Sequence, residues 1–208
     1  VQSNENITPT TPDELKTIIQ SLKTKKSPGF DLITGEVLKE LPPKAIEKLS
    51  SIINTSLSLN YFPIYWKTAE VIMIHKPGKP PNETTSYRPI SLLPLLSKLF
   101  EKIILKRFQH VTTESNIIPN HQFGFRSEHS TIEQVHRICD TIEDALERKK
   151  ICTAVFLDVS QAFDKVWHQG LLYKIKKFFS IELSQLMESY LSQRYFRIKY
   201  EGSYSILQ

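Results

Sequence analysis

Only two cysteines occur in the 208 residues, Cys139 and Cys152, and they form no Cys-x-x-Cys pair. A disulfide framework and a redox dithiol are thereby excluded, and a reducing, intracellular setting is the expectation. No secretory signal and no apolar run long enough to span a bilayer precedes or interrupts the domain, so no membrane partner is expected. Six histidines are present, but His121, His129 and His136 match no common zinc spacing and none sits beside a cysteine ligand. Repeats, low-complexity tracts and flexible linkers are missing too, and the chain reads as one continuous unit. Charge is not extreme: 27 Lys and Arg against 22 Asp and Glu leave +5, which favours a polyanionic partner without requiring one. The 40% of hydrophobic residues suffice for a real core.

Apolar spacing sets out the elements. Val1–Thr10 is polar and is expected to fray, and Thr11-Pro-Asp-Glu14 then reads as a capping box with proline in the first turn. Leu15, Ile18, Ile19 and Leu22 give that helix one apolar stripe, and it ends in the basic Lys23-Thr-Lys-Lys-Ser-Pro-Gly29 turn. Helices are expected over 36–41 and 43–59, the second with Ile46, Leu49, Ile52, Ile53 and Leu57 as core. Residues 68–75 and 87–93 read as the arms of a hairpin with a long, basic tip. Helices follow over 95–113, 130–149, 171–179 and 183–192, and a strand over 195–200. The 130–149 helix is amphipathic through Ile132, Val135, Ile138, Ile142 and Leu146.

Ile151-Cys-Thr-Ala-Val-Phe-Leu-Asp158 is the most informative run. Continuous β-branched and aromatic residues predict a strand covered on both faces, with Asp158 at its mouth where such sheets present ligands or metals. The same aspartate could instead cap the next helix, and the local pattern leaves both readings open.

Lys26-Ser-Pro-Gly-Phe-Asp31, Lys76-Pro-Gly78, Tyr87-Arg-Pro-Ile-Ser-Leu92, Gln122-Phe-Gly-Phe-Arg126 and Phe156-Leu-Asp-Val-Ser-Gln-Ala-Phe-Asp164 stand in one order along nearly the whole chain. Singly each string is weak. In that order and spacing the chain resembles the reverse transcriptases of non-LTR retrotransposons, most closely the jockey group of LINE-type elements.

The resemblance implies an α+β, right-hand polymerase fold, with fingers over about 1–93, including a helical extension, and an incomplete palm over 94–208. It implies an RNA-directed DNA polymerase that adds dNTPs to a DNA primer on an RNA template by two-metal chemistry with Mg2+, or alternatively Mn2+. Asp158 matches the first catalytic carboxylate, a hard oxygen ligand suited to that ion, with the Val159 backbone carbonyl beside it. Phe163 matches the aromatic gate that occupies the space of a ribose 2′-hydroxyl; its bland reading is an ordinary core phenylalanine. Asp164 follows a turn and is assigned no metal. Lys76 and Arg88, on opposite arms of the hairpin, match the basic pair that closes on the triphosphate, where an arginine fork and a lysine point charge suit phosphate oxygens. Lys23, Lys25 and Lys26 are assigned to nucleic-acid backbone and Arg126 to the template.

The family's second acidic element, Phe/Tyr-x-Asp-Asp, is missing, since no two aspartates are adjacent anywhere in the sequence. The remainder of the polymerase, with the rest of the palm and the thumb, is therefore the expected partner of this segment, which alone is expected to be inactive. The alternative is a non-catalytic RNA- or DNA-binding remnant or domesticated module. Either would reside in a nuclear or cytoplasmic ribonucleoprotein, between which the residues do not choose.

Overall fold

Thr11 opens the first helix as its sequence requires. Extended at φ −84° and ψ 155°, it accepts a hydrogen bond from the Glu14 N–H at 3.1 Å, and α1 runs Pro12–Gln20. α2 (Gly35–Lys39) and α3 (Pro43–Ser58) follow, then β1 (Thr68–His75), β2 (Tyr87–Leu92) and α4 (Leu95–Glu114). α5 (Thr131–Glu147), α6 (His168–Phe178), α7 (Ile181–Leu191), β3 (Tyr195–Tyr200) and β4 (Ser203–Tyr204) complete the mixed α and β chain. This computed structural model describes residues 7–160 and 162–208. Its residues pack as two compact units, one comprising the chain up to Val111 with His168–Gln208, the other Thr112–Trp167.

In the first unit the strands form one sheet in the order β2-β1-β3-β4. β1 and β2 are antiparallel, with Ile74 opposite Arg88 and His75 opposite Tyr87, whereas β1 and β3 are parallel, with Glu70 opposite Arg197. Glu70 is buried, and its carboxylate is satisfied by hydrogen bonds from the Arg197 guanidinium and by Lys199, whose ammonium lies 3.9 Å away. The Tyr204 ring lies 4.3 Å from the Arg197 guanidinium, so the cation is held from two sides.

The helical core joins α1, α3, α4 and α7 through Leu15, Ile19, Ile53, Leu57, Leu99, Phe100, Ile103 and Leu186. Each such side chain contributes roughly 1.5–3 kcal/mol by leaving water. Phe62 is its hub, with ring centroids 5.1 Å from Phe100 and 5.0 Å from Tyr190. The expected stripe of α1 is wholly buried, but Ile52 of α3 is half exposed; it lies off the row that carries Leu49, Ile53 and Leu57 to the core.

The expected fraying does not hold for residues 8–10. Residues 1–6 lie outside the described residues, but Thr10 is buried, its N–H donating to Asn54 Oδ1 at 2.7 Å and its carbonyl accepting from Ser50 Oγ. Arg107 of α4 donates to the Thr8 and Pro9 carbonyls and makes a bidentate pair with Glu14, whose carboxyl it holds below its usual range. Local polarity suggested a loose end; a guanidinium 99 residues away decides otherwise.

A second polar group is strained by burial. Glu101 of α4 accepts from Ser97 Oγ and from the Tyr190 O–H of α7, each at 3.3 Å, and burial raises its pKa above the ordinary 4.5 despite the attraction of Arg194. The stability such a group contributes is complete below its unfolded pKa and is lost as pH rises through the raised folded value. Glu101→Gln, which keeps the accepting oxygen without the charge, is therefore expected to gain Tm relative to the parent as pH is taken from 4 to 7.5. Calorimetric scans at the two pH values check this, and an unchanged difference would show the carboxylate unperturbed.

The chain also makes one close approach that only glycine permits. A Cβ on Gly29 would stand 2.5 Å from the Pro94 nitrogen and 2.7 Å from the Leu93 carbonyl carbon, both backbone atoms where β2 hands over to α4. Gly29→Ala should cost about 1–3 kcal/mol in urea unfolding, through forced backbone displacement.

Candidate functional site

The hairpin brings two of the expected residues together. Lys76 extends the β1–β2 ladder by one step, its N–H donating to the Ser86 carbonyl at 2.7 Å, and Arg88 lies opposite Ile74. Residues opposite each other and two apart share a face, so Lys76 and Arg88 are diagonal neighbours on one side of the ribbon. The tip is held locally: Gly78 turns at φ 75°, Lys79 N–H donates to the Lys76 carbonyl, and Tyr87 O–H donates to the Pro81 carbonyl at 2.9 Å. Lys76 Nζ donates to the Thr85 carbonyl at 2.7 Å, which draws its ammonium along the hairpin, while Arg88 is exposed.

Lys23, Lys25 and Lys26 are all exposed in the loop after α1. Lys25 takes the left-handed φ of 58°, and its N–H donates to Glu36 Oε1 at 3.0 Å. With Gly29 seated on the Leu93–Pro94 backbone, this loop is fixed beside the root of β2. Its cations are thus presented by a rigid turn.

Asp158, Phe163 and Arg126 belong to the second unit. The expected strand over 151–158 is not formed: these residues have no strand pairing and are exposed, Phe156 at 81% and Leu157 at 91%. The reason is tertiary. A strand needs a neighbour for its backbone groups, and no described residue pairs with 151–158. The capping reading fails as well, because the next described helix, α6, begins only at His168. Asp158 therefore stands exposed in an irregular segment, with Val159 beside it, followed by turns that carry Phe163 and Asp164.

Phe163 is not core, being 78% exposed. Its ring meets Phe125 edge to face, with centroids 6.0 Å apart and planes at 88°. Nothing in the spacing of the sequence pairs these two. Arg126 donates through Nη1 to the Pro119 carbonyl at 3.3 Å, which closes its own loop and leaves further donors of the guanidinium for other contacts. α5, behind that loop, starts in a full capping box between Ser130 and Glu133, yet Ile132, Val135, Ile138, Ile142 and Leu146 are all exposed.

Among the described residues no group of three or more His, Cys, Asp or Glu side chains is placed to hold a metal ion. Magnesium takes near-octahedral oxygen coordination, and a pair of such ions needs carboxylates from more than one element. Asp158 and a backbone carbonyl do not make that set. The described residues do not fit a complete metal centre.

The reverse transcriptase (RNA-dependent DNA polymerase) family model matches residues 74–207, which include the hairpin tip, Arg88, Arg126, Asp158 and Phe163. The chain belongs to that family. It is 48% identical over 99% of its length to the probable RNA-directed DNA polymerase from transposon BS of Drosophila melanogaster, and 44% identical over 91% to the RNA-directed DNA polymerase from mobile element jockey of the same fly. A putative 115 kDa protein in type-1 retrotransposable element R1DM is 31% identical over 87%. The chain spans 23%, 21% and 17% of those relatives respectively, so it corresponds to a part of a reverse transcriptase. No helix among the described residues is long and apolar enough to cross a membrane.

With no group of three or more ligating side chains brought together among the described residues, metal is not expected to stabilise this segment. A ligand at 100 times its Kd stabilises a fold by about 2.7 kcal/mol, so a competent reverse transcriptase metal centre would be visible in a thermal scan. Millimolar Mg2+ or Mn2+, or chelator, is expected to leave the Tm of the purified segment where it was.

Proposed function

We propose that this segment is the amino-terminal part of an RNA-directed DNA polymerase of a non-LTR retrotransposon, which extends a DNA primer on an RNA template with dNTPs. Residues up to about 93 serve as fingers and those from 94 as the first part of the palm of a right-hand fold. The observation that carries the reading is the hairpin: its root is buried in the sheet, and its exposed end carries Lys76 and Arg88 on one face. A cationic pair so mounted can approach a triphosphate from one side, the arginine as a fork and the lysine as a point charge, and stabilise charge that passes to the leaving pyrophosphate. Lys76 then exchanges its internal bond to the Thr85 carbonyl for phosphate oxygens.

Asp158 is the one carboxylate this segment contributes toward the divalent metals that reverse transcriptases generally use. Its exposure in an irregular segment suits a residue that acts with elements beyond this chain. Phe163, exposed after the same turn, is the sugar gate, excluding a 2′-hydroxyl by occupying its space. The exposed Lys23, Lys25 and Lys26, and Arg126, bind nucleic-acid backbone, which confers affinity and salt dependence without sequence choice.

The test requires a full-length polymerase that carries this segment. Lys76→Ala and Arg88→Ala should each lower kcat/KM for dNTPs by about 10- to 100-fold, the worth of one charge-assisted hydrogen bond, with template affinity unchanged. Asp158→Asn should abolish extension while template binding survives, because size and hydrogen bonding are kept and only charge is lost. Full activity in all three would remove the polymerase assignment of these residues.

A second reading is a non-catalytic nucleic-acid-binding module, which the exposed Lys23, Lys25 and Lys26 would serve without turnover. Both readings predict binding, and only the first predicts turnover once the remaining polymerase is present. The isolated segment is expected to bind an RNA–DNA hybrid with log K falling linearly in log salt by about 0.7–0.9 per phosphate contacted. Changing Lys25, Lys26 and Arg126 to alanine should flatten that slope with helical content unchanged, as filter binding and circular dichroism would show.

A further inference from the structure

The aromatic contact between Phe125 and Phe163 is used by none of the roles assigned so far. Phe163 follows Asp158, and Phe125 lies 38 residues earlier in the loop between α4 and α5, yet the rings meet edge to face at 6.0 Å with planes at 88°. That is the arrangement the ring quadrupoles favour, positive edge to negative face. It occurs where neither ring is sheltered: Phe125 is 97% exposed and Phe163 is 78% exposed. General burial therefore does not account for it.

The loop is built to hold Phe125 out. Phe125 has a φ of 59°, a left-handed backbone that a bulky side chain adopts only when its surroundings impose it. Those surroundings are on either side. Gln122 Nε2 donates to the Gly124 carbonyl at 3.1 Å, and Arg126 Nη1 donates to the Pro119 carbonyl at 3.3 Å. Phe123 is gripped between the Arg137 guanidinium, 5.0 Å from its centroid, and the His129 ring at 4.7 Å, which ties the loop to the capped start of α5. Thus Phe123 anchors the turn and Phe125 projects from it to a single described ring partner.

We propose that Phe125 is a positioning residue for Phe163: its ring, perpendicular to that of Phe163, restrains the Phe163 side chain, so that the latter stays in place against a ribose 2′-hydroxyl. A gate of one ring on an exposed turn discriminates only as far as it resists rotation about its own side-chain bonds, because a hydroxyl adds little volume and a yielding ring would admit it. A perpendicular neighbour restricts that rotation without filling the space in front of the gate. Phe125 touches no substrate in this scheme and acts only through Phe163. The inference rests on the proposed role of Phe163 as the sugar gate.

The experiment compares kcat/KM for each dNTP with that for the matching rNTP in the full-length polymerase, for Phe125→Ala, Phe125→Tyr, Phe163→Val and the double variant Phe125→Ala with Phe163→Val. The expected result is that Phe125→Ala lowers dNTP-over-rNTP discrimination by about 3- to 10-fold, the scale of one aromatic pair. Phe125→Tyr should keep it, and the double variant should discriminate no worse than Phe163→Val alone. Phe125→Leu, apolar but without a ring, reads the same contact should the alanine variant yield little folded enzyme. Equal loss toward dNTP and rNTP, or additive losses in the double variant, with Phe163→Val still relaxed, would overturn the positioning role and leave the gate standing. An unchanged ratio in Phe163→Val would overturn the gate and this inference with it.

Discussion

The parallel pairing of β1 with β3 is the constraint on which the rest of the first unit depends. It joins Thr68–Ile72 to Tyr195–Lys199 across more than a hundred residues and buries a carboxylate, Glu70, that would be costly there without its partners Arg197 and Lys199. Because β1 is thereby held on one edge, its other edge can carry β2 as a hairpin that emerges from the core. Burial falls along β1 in that direction, from Ala69, Glu70 and Val71 to the exposed Met73, Ile74 and His75. The result is a rigid root and a solvent-facing end, where Lys76 and Arg88 lie.

The helical core fixes where that root points. Phe62 packs on Phe100 and Tyr190, and the Phe62 N–H donates to Ser189 Oγ at 2.9 Å, while the buried Lys67 donates to the Ser189 carbonyl. These bonds tie the segment immediately before β1 to α7, so helix packing and strand position are one arrangement. Burial lowers the pKa of Lys67 and raises those of Glu101 and Tyr190 around this junction, which marks it as a place where polar groups are retained at a cost in solvation. Just past the end of β2, the close approach of Gly29 to Leu93 and Pro94 sets the basic loop against the same frame.

The second unit is organised by side-chain contacts of a different kind. Its helix is capped completely and its loop is pinned by Arg137 and His129 on Phe123, but its apolar residues, from Ile132 to Leu146 and from Ile151 to Val159, are exposed. In such a setting local hydrogen bonds and ring contacts decide positions that burial would ordinarily decide. That is why the pairing of Phe125 with Phe163 carries weight.

The sequence by itself determined the helices, the hairpin and the family. Caps, proline positions and apolar spacing act within one or two turns, so α1, α3, α5 and the β1–β2 arms fall where those signals put them, and the ordered strings around Lys76, Arg88, Arg126 and Asp158 agree with the reverse transcriptase match over 74–207. Other features were decided only by tertiary structure. The run Ile151–Asp158 has every local mark of a buried strand and is none, because strand formation depends on a partner edge and not on propensity alone. Thr10 is buried and Ile52 is not, since Arg107, Asn54 and the helix neighbours set exposure. The contact of Phe125 with Phe163 had no signal along the chain, for it depends on a loop geometry fixed by Phe123, Arg126 and Arg137, residues whose mutual placement exists only in three dimensions.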